Sequence, residues 1–279
     1  MTFTEKLQRA ITSSQSVLCV GLDPDLAKIP APLKEQFRNP SDQVFEFCRR
    51  VIESTKMHTC AYKPNLAFFE ALGSDGWTVF DRLMDEIPSG KIIIADAKRG
   101  DIGTTAQKYK EAFFDKLGVD AITLNPLMGM DTLDPFLDDD RKAVFVLTMT
   151  SNPGSSDFLQ LPTQEGSTLG TFIAKQLREK QETAKTHIGM VVGATNQQAS
   201  ISVLKASPNS HLLIPGIGAQ GGNIDTLATT LKDHKGIPII SSSRSIIYAG
   251  EHAQNWEELV SSKAAEMKES LTIISKKYV

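Results

Sequence analysis

Cysteine is scarce in this sequence. Its 279 residues hold three, Cys19, Cys48 and Cys60, with no CxxC pair and no histidine-rich tract. That excludes a disulfide-built scaffold and a zinc-finger spacing, and it fits reduced thiols in a cytoplasmic protein. Long apolar runs are missing too. The longest, such as Ile92–Ala95 and Ala143–Leu147, fall far short of the roughly 20 residues that cross a bilayer. The N-terminal FTEKLQRAITSSQ is polar and helical in pattern, and no apolar core follows it, so no signal peptide is expected. Charge of one sign is not in excess. A net charge of −3 argues against a broad basic surface for nucleic acid but leaves room for a local positive pocket. There is no internal repeat and no low-complexity segment. The glycine fingerprint GxGxxG is absent after the first β-like run, which counts against a dinucleotide-binding open sheet.

What is present is an ordinary globular composition, 41% hydrophobic, in a chain long enough for a large core. Short β-branched runs alternate with amphipathic stretches. Strands are expected near Val17–Gly21, Thr59–Lys63, Lys91–Asp96, Ala121–Leu124, Ala143–Thr148, Ile188–Gly193, Leu212–Pro215 and Ile237–Ser241. Helical patterns cover Gln43–Lys56, Trp77–Glu86, Thr104–Leu117, Ser167–Thr186, Gln197–Ala206, Ile224–Asp233 and Asn255–Lys276. In Thr104–Leu117, Ala106, Tyr109, Phe113 and Leu117 share a face and Gly118 supplies a stop. Strand followed by helix, eight times over, is the order of a (β/α)8 TIM barrel, here read as one domain over residues 1–279. A doubly wound open sheet is the alternative. The stretch Thr150–Gly166 reads as a long loop after strand five, of the length that usually serves function.

Barrel chemistry sits where strands end. Strand one runs into Asp23, strand two ends in Lys63, and strand three runs into Asp96-Ala97-Lys98-Arg99-Gly100-Asp101. Ile92, Ile94, Asp96 and Lys98 share one parity, so their side chains are expected to point the same way. Lys63 ends the neighbouring strand, roughly 5 Å away. Lys63, Asp96, Lys98 and Asp101 then make an array of alternating charge, partly shielded from water. Taken alone, Asp101 fits a helix cap as well as a catalytic place. Four charges at two adjacent strand ends fit a site better than a scaffold, because burying charge without use is costly.

The second constellation is PGIGAQGG after strand seven, followed by Arg244 after strand eight. Glycine lets backbone N–H groups approach an anion, and loops seven and eight are where barrels often hold phosphate. The Arg244 guanidinium offers a fork of donors suited to phosphate oxygens. A tight turn beside a surface arginine is the plainer reading.

Together VGLDPD, AYKPN, DAKRGDIGTTAQKY, TSNPGS, PGIGAQGG and SSSRSIIYA resemble the orotidine 5′-phosphate decarboxylase family, in its larger bacterial-type branch. The resemblance implies conversion of orotidine 5′-phosphate to UMP and CO2 in pyrimidine biosynthesis, in the cytoplasm, by a homodimer. It implies that Lys98 delivers a proton to pyrimidine C6 and that Asp96 lies beside the substrate carboxylate. Lys63 then links the ribose to the charged array, and Asp23 holds a ribose hydroxyl. Asp101, Ile102 and Thr105 correspond to residues donated by the second subunit. Ser151 corresponds to the serine that reads the pyrimidine, and Gln220 and Arg244 to the phosphate ligands. Ser243 departs from the pattern, since many relatives carry glycine before the arginine; this puts one backbone contact to phosphate in question.

Loss of CO2 at C6 leaves a carbanion with no adjacent π sink. The sequence offers no site for pyridoxal phosphate, thiamine or a metal, so no cofactor is expected and stabilisation has to be electrostatic and preorganised. Carboxylates on both sides favour the ammonium form of Lys98, which suits a proton donor rather than a Schiff-base nucleophile. The rivals are a magnesium-dependent sugar-phosphate decarboxylase or aldolase of the same superfamily, a Schiff-base aldolase, and a non-catalytic nucleotide binder. The first carries glutamate near the end of strand two, where this chain has Lys63.

Overall fold

The computed structural model describes residues 1–194, 197–217 and 223–279, with backbone alone for Gln197 and Gln198. Helix α1 (Phe3–Ser14) precedes β1 (Leu18–Leu22). Then come α2 (Pro40–Thr55), β2 (Ala61–Pro64), α3 (Ser74–Glu86), β3 (Ile92–Arg99), α4 (Gly103–Lys110), β4 (Ala121–Leu124) and β5 (Ala143–Met149). The second half runs α5 (Leu169–Gln181), β6 (His187–Val192), α6 (Gln197–Ala206), β7 (Leu212–Pro215), α7 (Ile224–Thr230), β8 (Pro238–Ser242), α8 (Arg244–Ile247) and α9 (Trp256–Ser270). The strands hydrogen-bond in sequence order and close into a barrel, as the (β/α)8 reading expects.

The chain packs as two compact units. One comprises residues 6–97, 117–119 and 241–279. Here β1 and β2 pair in parallel, Cys19 with Ala61 through Leu22 with Pro64, and every residue of both is buried. Helix α2 shows why the flanking layer forms. Asn39 caps it by accepting from the Ser41 N–H, and Pro40 occupies the first turn, where its missing N–H costs nothing. Val44, Phe47, Cys48, Val51, Ile52 and Thr55 recur at helical spacing and are all buried. Phe47 stacks on Tyr248 at 5.6 Å and tilts against Trp256 at 5.6 Å. Each such large apolar side chain contributes roughly 1.5–3 kcal/mol.

The other unit comprises residues 1–5, 98–116 and 120–240. Strands β4, β5 and β6 pair in parallel, and β6 pairs with β7. Phe3 meets Phe145 edge-on at 6.3 Å and flanks a histidine pair, His187 and His211, whose rings stack at 3.8 Å. Both rings accept a backbone proton. The His211 N–H donates to His187 Nε2, and the Ile237 N–H donates to His211 Nδ1. His211 Nε2 is left to donate to Thr4 Oγ1 at 3.0 Å. Protonating an accepting nitrogen breaks a backbone bond inside the core. Burial accordingly holds the His187 pKa down to about 4 and that of His211 well below the ordinary value, with His187 and His234 lowering the latter further.

A depressed histidine pKa means that the unfolded chain binds more protons below about pH 6.5. The stabilisation is complete above that pH and is lost as pH falls towards 4, on the order of 3 kcal/mol for His187. The urea midpoint should therefore drop between pH 7 and pH 5, and His187→Gln, which keeps an acceptor but does not titrate, should flatten the drop. An unchanged slope in the variant removes His187 from this role.

Several expectations shift. Strand β3 runs three residues further than the reading Lys91–Asp96. The stretch Thr104–Leu117 is α-helical only to Lys110 and then widens into a π-helix over Glu111–Lys116, which buries Phe113 and Phe114 together. Strand β4 is followed by a 3-10 helix, Met130–Phe136, because Pro135 interrupts α-helical hydrogen bonding. Ser167–Thr186 shortens to α5, capped by Thr168, and Asn255–Lys276 breaks at Leu271. The long loop after β5 carries a short helix, Ser155–Phe158, and a bridge from Pro162 to Thr168.

Candidate active site

Strands β2 and β3 run parallel, with Ala61 beside Ile92 and Tyr62 beside Ile93, and Asn65 bridges Asp96. This register brings the ends of the two strands together. Lys63 Nζ donates to Asp96 Oδ2 at 2.7 Å, and the two side chains are only 7% and 10% exposed. Burial alone lowers a lysine pKa. Here the charges of Asp96 and Asp23 and the hydrogen bond to Asp96 outweigh it, so the Lys63 ammonium is held above its ordinary range. Beside it on β1 is Cys19, whose thiol burial pushes up to about 12 against the opposing pull of Lys63 and Ser241. It stays a neutral thiol and is no nucleophile at neutral pH. All three cysteines are free and buried.

Asp23 follows β1. Its carboxylate Oδ1 is buried and has no hydrogen-bond partner among the described residues. An acceptor buried in this way is costly unless a ligand donates to it. The backbone around it is held by Tyr248, whose hydroxyl donates to the Asp23 carbonyl at 2.7 Å and accepts from the Asp25 N–H at 2.6 Å. Arg244 is exposed at the first turn of α8, and Ser243 precedes it as the N-cap residue.

The Ser243 side chain packs against β1. A Cβ on Gly21 of β1 would lie 1.8 Å from Ser243 Oγ and 2.9 Å from Ser243 Cβ. The serine side chain occupies the space that glycine leaves open, so the two positions are a matched pair. Gly21→Ala should cost at least 1–3 kcal/mol of stability, about the price of overpacking. Gly21→Ala with Ser243→Gly should recover most of it, because the nearest remaining atom, Ser243 Cα, is at an ordinary 3.5 Å. Equal losses in the urea midpoints of the single and double variants contradict the pairing.

The remaining residues lie in the other unit. Burial follows the expected parity through Ile92, Ile94 and Asp96, but the parity lapses at Lys98, which is exposed rather than shielded. Its φ is +48°, in the left-handed region that non-glycine residues rarely enter. Thr123 Oγ1 on β4 accepts its backbone N–H at 2.9 Å and helps hold this conformation. Strain of this kind costs of order 1–3 kcal/mol and concentrates at functional sites. Asp101 accepts from the Ile102 N–H at 2.8 Å, while Ile102 itself occupies the N-cap position of α4. Asp101 is thus not the cap residue. Ile102 and Thr105 are exposed. Ser151 sits directly over Gly193, where a Cβ would lie 2.6 Å from the Ser151 N. Gln220 lies outside the described residues.

Lys63 and Asp96 are therefore joined directly, and Asp23 and Arg244 are linked through Tyr248. Lys98, Asp101, Ile102 and Thr105 are grouped by the chain itself. Sequence reasoning missed Tyr248 and Thr123. The signal for Tyr248 was available, since it lies one helical turn after Arg244 in SSSRSIIYA.

The family model described as "Orotidine 5'-phosphate decarboxylase / HUMPS family" matches residues 16–259. A Herpetosiphon aurantiacus protein named orotidine 5′-phosphate decarboxylase is 44% identical over 247 residues, 88% of this chain and 90% of the relative. A Flavobacterium johnsoniae protein of the same name is 40% identical and covers 99% of both chains. The solved structure of Leishmania donovani OMP decarboxylase is similar with a TM-score of 0.80 at 32% identity, over 98% of this chain and 99% of that one. Since the match runs through β1, β2 and the whole charged segment of β3, the chain belongs to the orotidine 5′-phosphate decarboxylase / HUMPS family.

Proposed function

We propose that this chain is a carboxy-lyase that converts orotidine 5′-phosphate to UMP and CO2 without a cofactor, and that Lys98, Asp96, Lys63 and Asp101 carry the reaction. The observation that supports it best is the buried Lys63–Asp96 pair at 2.7 Å, set on the strand that continues into Lys98 and Asp101. The name of the family spans a second branch, but the relatives above carry the decarboxylase name. Lys63 also stands against a magnesium-dependent reading, because a fixed ammonium bonded to Asp96 repels a cation from that carboxylate.

In this reading the bond from C6 to the carboxylate breaks and its electron pair stays on C6. The Lys98 ammonium faces the growing charge and then delivers a proton to C6, while CO2 leaves. Solvent reprotonates the resulting amine. Asp96, held by the Lys63 ammonium, lies beside the departing carboxylate and disfavours the charged ground state. Asp23 Oδ1 accepts from a ribose hydroxyl, Ser151 reads the pyrimidine, and Gln220 and Arg244 grip the phosphate. Phosphate binding far from C6 supplies energy for closing the loop after β5.

A second copy of the chain completes the site with Asp101, Ile102 and Thr105. Exposed apolar residues in the same unit, Ile102 at 53%, Leu127 at 79% and Met128 at 56%, suit a surface that a partner covers. No described helix is long and apolar enough to cross a membrane.

The test is loss of orotidine 5′-phosphate absorbance on addition of the protein. Equal rates with and without chelator are expected, and a rate abolished by chelator turns the reading towards the metal-using branch. Arg244→Ala should weaken UMP by several kcal/mol, roughly 2–5, if ligand binding buries the guanidinium against phosphate. Unchanged affinity removes Arg244 from the site.

A further inference from the structure

We propose that Tyr248 is a positioning residue that couples the phosphate arm to the carboxylate that holds the ribose. The proposal rests on the reading above, in which Asp23 accepts from a ribose hydroxyl and Arg244 binds phosphate. Its basis is a bridge of three bonds. The Tyr248 hydroxyl donates to the Asp23 carbonyl at 2.7 Å and accepts from the Asp25 N–H at 2.6 Å, while the Tyr248 N–H donates to the Arg244 carbonyl at 3.3 Å. Pro24 lies between the two aspartates and has no N–H of its own to fix the turn. The hydroxyl therefore satisfies both backbone groups that flank the proline.

The ring is fixed independently. It stacks on Phe47 at 5.6 Å with planes 10° apart, and Lys28 Nζ lies 5.4 Å from its centroid. Burial raises the phenol pKa, so the proton that serves the Asp23 carbonyl is retained throughout the physiological range. Asp23 Oδ1 has no hydrogen-bond partner among the described residues, so its aim depends on the backbone that Tyr248 clamps. Nothing in the overall reaction requires a tyrosine here, since it is assigned no contact with a reacting atom.

Tyr248→Phe keeps the stacked ring and removes only the clamp. Affinities for UMP and for inorganic phosphate, with kcat and KM, are to be measured for the wild type, Tyr248→Phe, Asp23→Ala and the double variant. Tyr248→Phe should weaken UMP about tenfold, within the range for a lost buried hydrogen bond, and raise KM more than it lowers kcat. Inorganic phosphate should bind as in the wild type, and the double variant should bind UMP no more weakly than Asp23→Ala alone. The coupling is overturned if Asp23→Ala weakens UMP while Tyr248→Phe does not, if the two losses add, or if phosphate affinity falls in parallel with UMP. If Asp23→Ala binds UMP like the wild type, Asp23 is not a ribose ligand, and that part of the functional reading falls together with the coupling.

Discussion

Lys98→Ala should lose turnover by a factor of about 10⁴ or more while still binding UMP within roughly tenfold of the wild type. The size follows from two roles in one side chain. A positioned general acid contributes about 10²–10⁴. A fixed charge aimed at developing charge adds about 10²–10³. Ground-state binding suffers less, because ribose, base and phosphate are assigned to other residues. The backbone supports such a division of labour. Lys98 is held at a φ of +48° with its N–H on Thr123 Oγ1, a strained placement that costs stability while the side chain stays exposed. Single-turnover rates and UMP titrations check the prediction. Near-normal turnover, or UMP affinity lost in proportion to rate, excludes Lys98 as the proton donor.

Lys63→Ala should be the most destabilising of the site substitutions, at about 3–5 kcal/mol, because it strips the counter-charge from a buried carboxylate. Asp96 is 9% exposed and its Oδ2 accepts from Lys63 at 2.7 Å. The pH dependence follows from the direction of the Lys63 shift. Its folded pKa is raised, so its contribution is complete at neutral pH and is lost only as pH rises beyond the ordinary lysine range. The variant should therefore be less stable than the wild type by a constant margin from pH 6 to 9. Its turnover should fall too, since Asp96 loses the ammonium that holds its carboxylate in place. Urea midpoints across that range, with rates on the same samples, check both. A loss below about 1 kcal/mol indicates a solvated pair rather than a buried one.

Much of this was legible because it depends on period and order. Ala121–Leu124 and Leu212–Pro215 coincide with β4 and β7, since short β-branched runs bounded by turn residues leave little room for error. Lys63 and Asp96 were readable as neighbours because parallel pairing of consecutive strands fixes their register. What failed was local. Parity does not foresee a left-handed residue, so it points Lys98 inward where the structure has it exposed. The π-helix at Glu111–Lys116 preserves the apolar spacing that made one long helix look continuous. The Gly21–Ser243 pair and the Tyr248 clamp depend on contacts between positions more than 200 residues apart, which no local pattern encodes.

In the proposed reaction Lys63, Asp96 and Lys98 of one chain act with Asp101 of another as a single site. Mixing two inactive variants tests it directly. Lys98→Ala and Asp101→Ala are each expected to be nearly inactive alone. If subunits exchange at random, about half the dimers are mixed, and each of these contains one site with both residues intact. Activity should then rise on mixing to about a quarter of the wild type. No recovery, with subunit exchange verified by mass or fluorescence on the same sample, contradicts the composite site and returns Asp101 to its own chain.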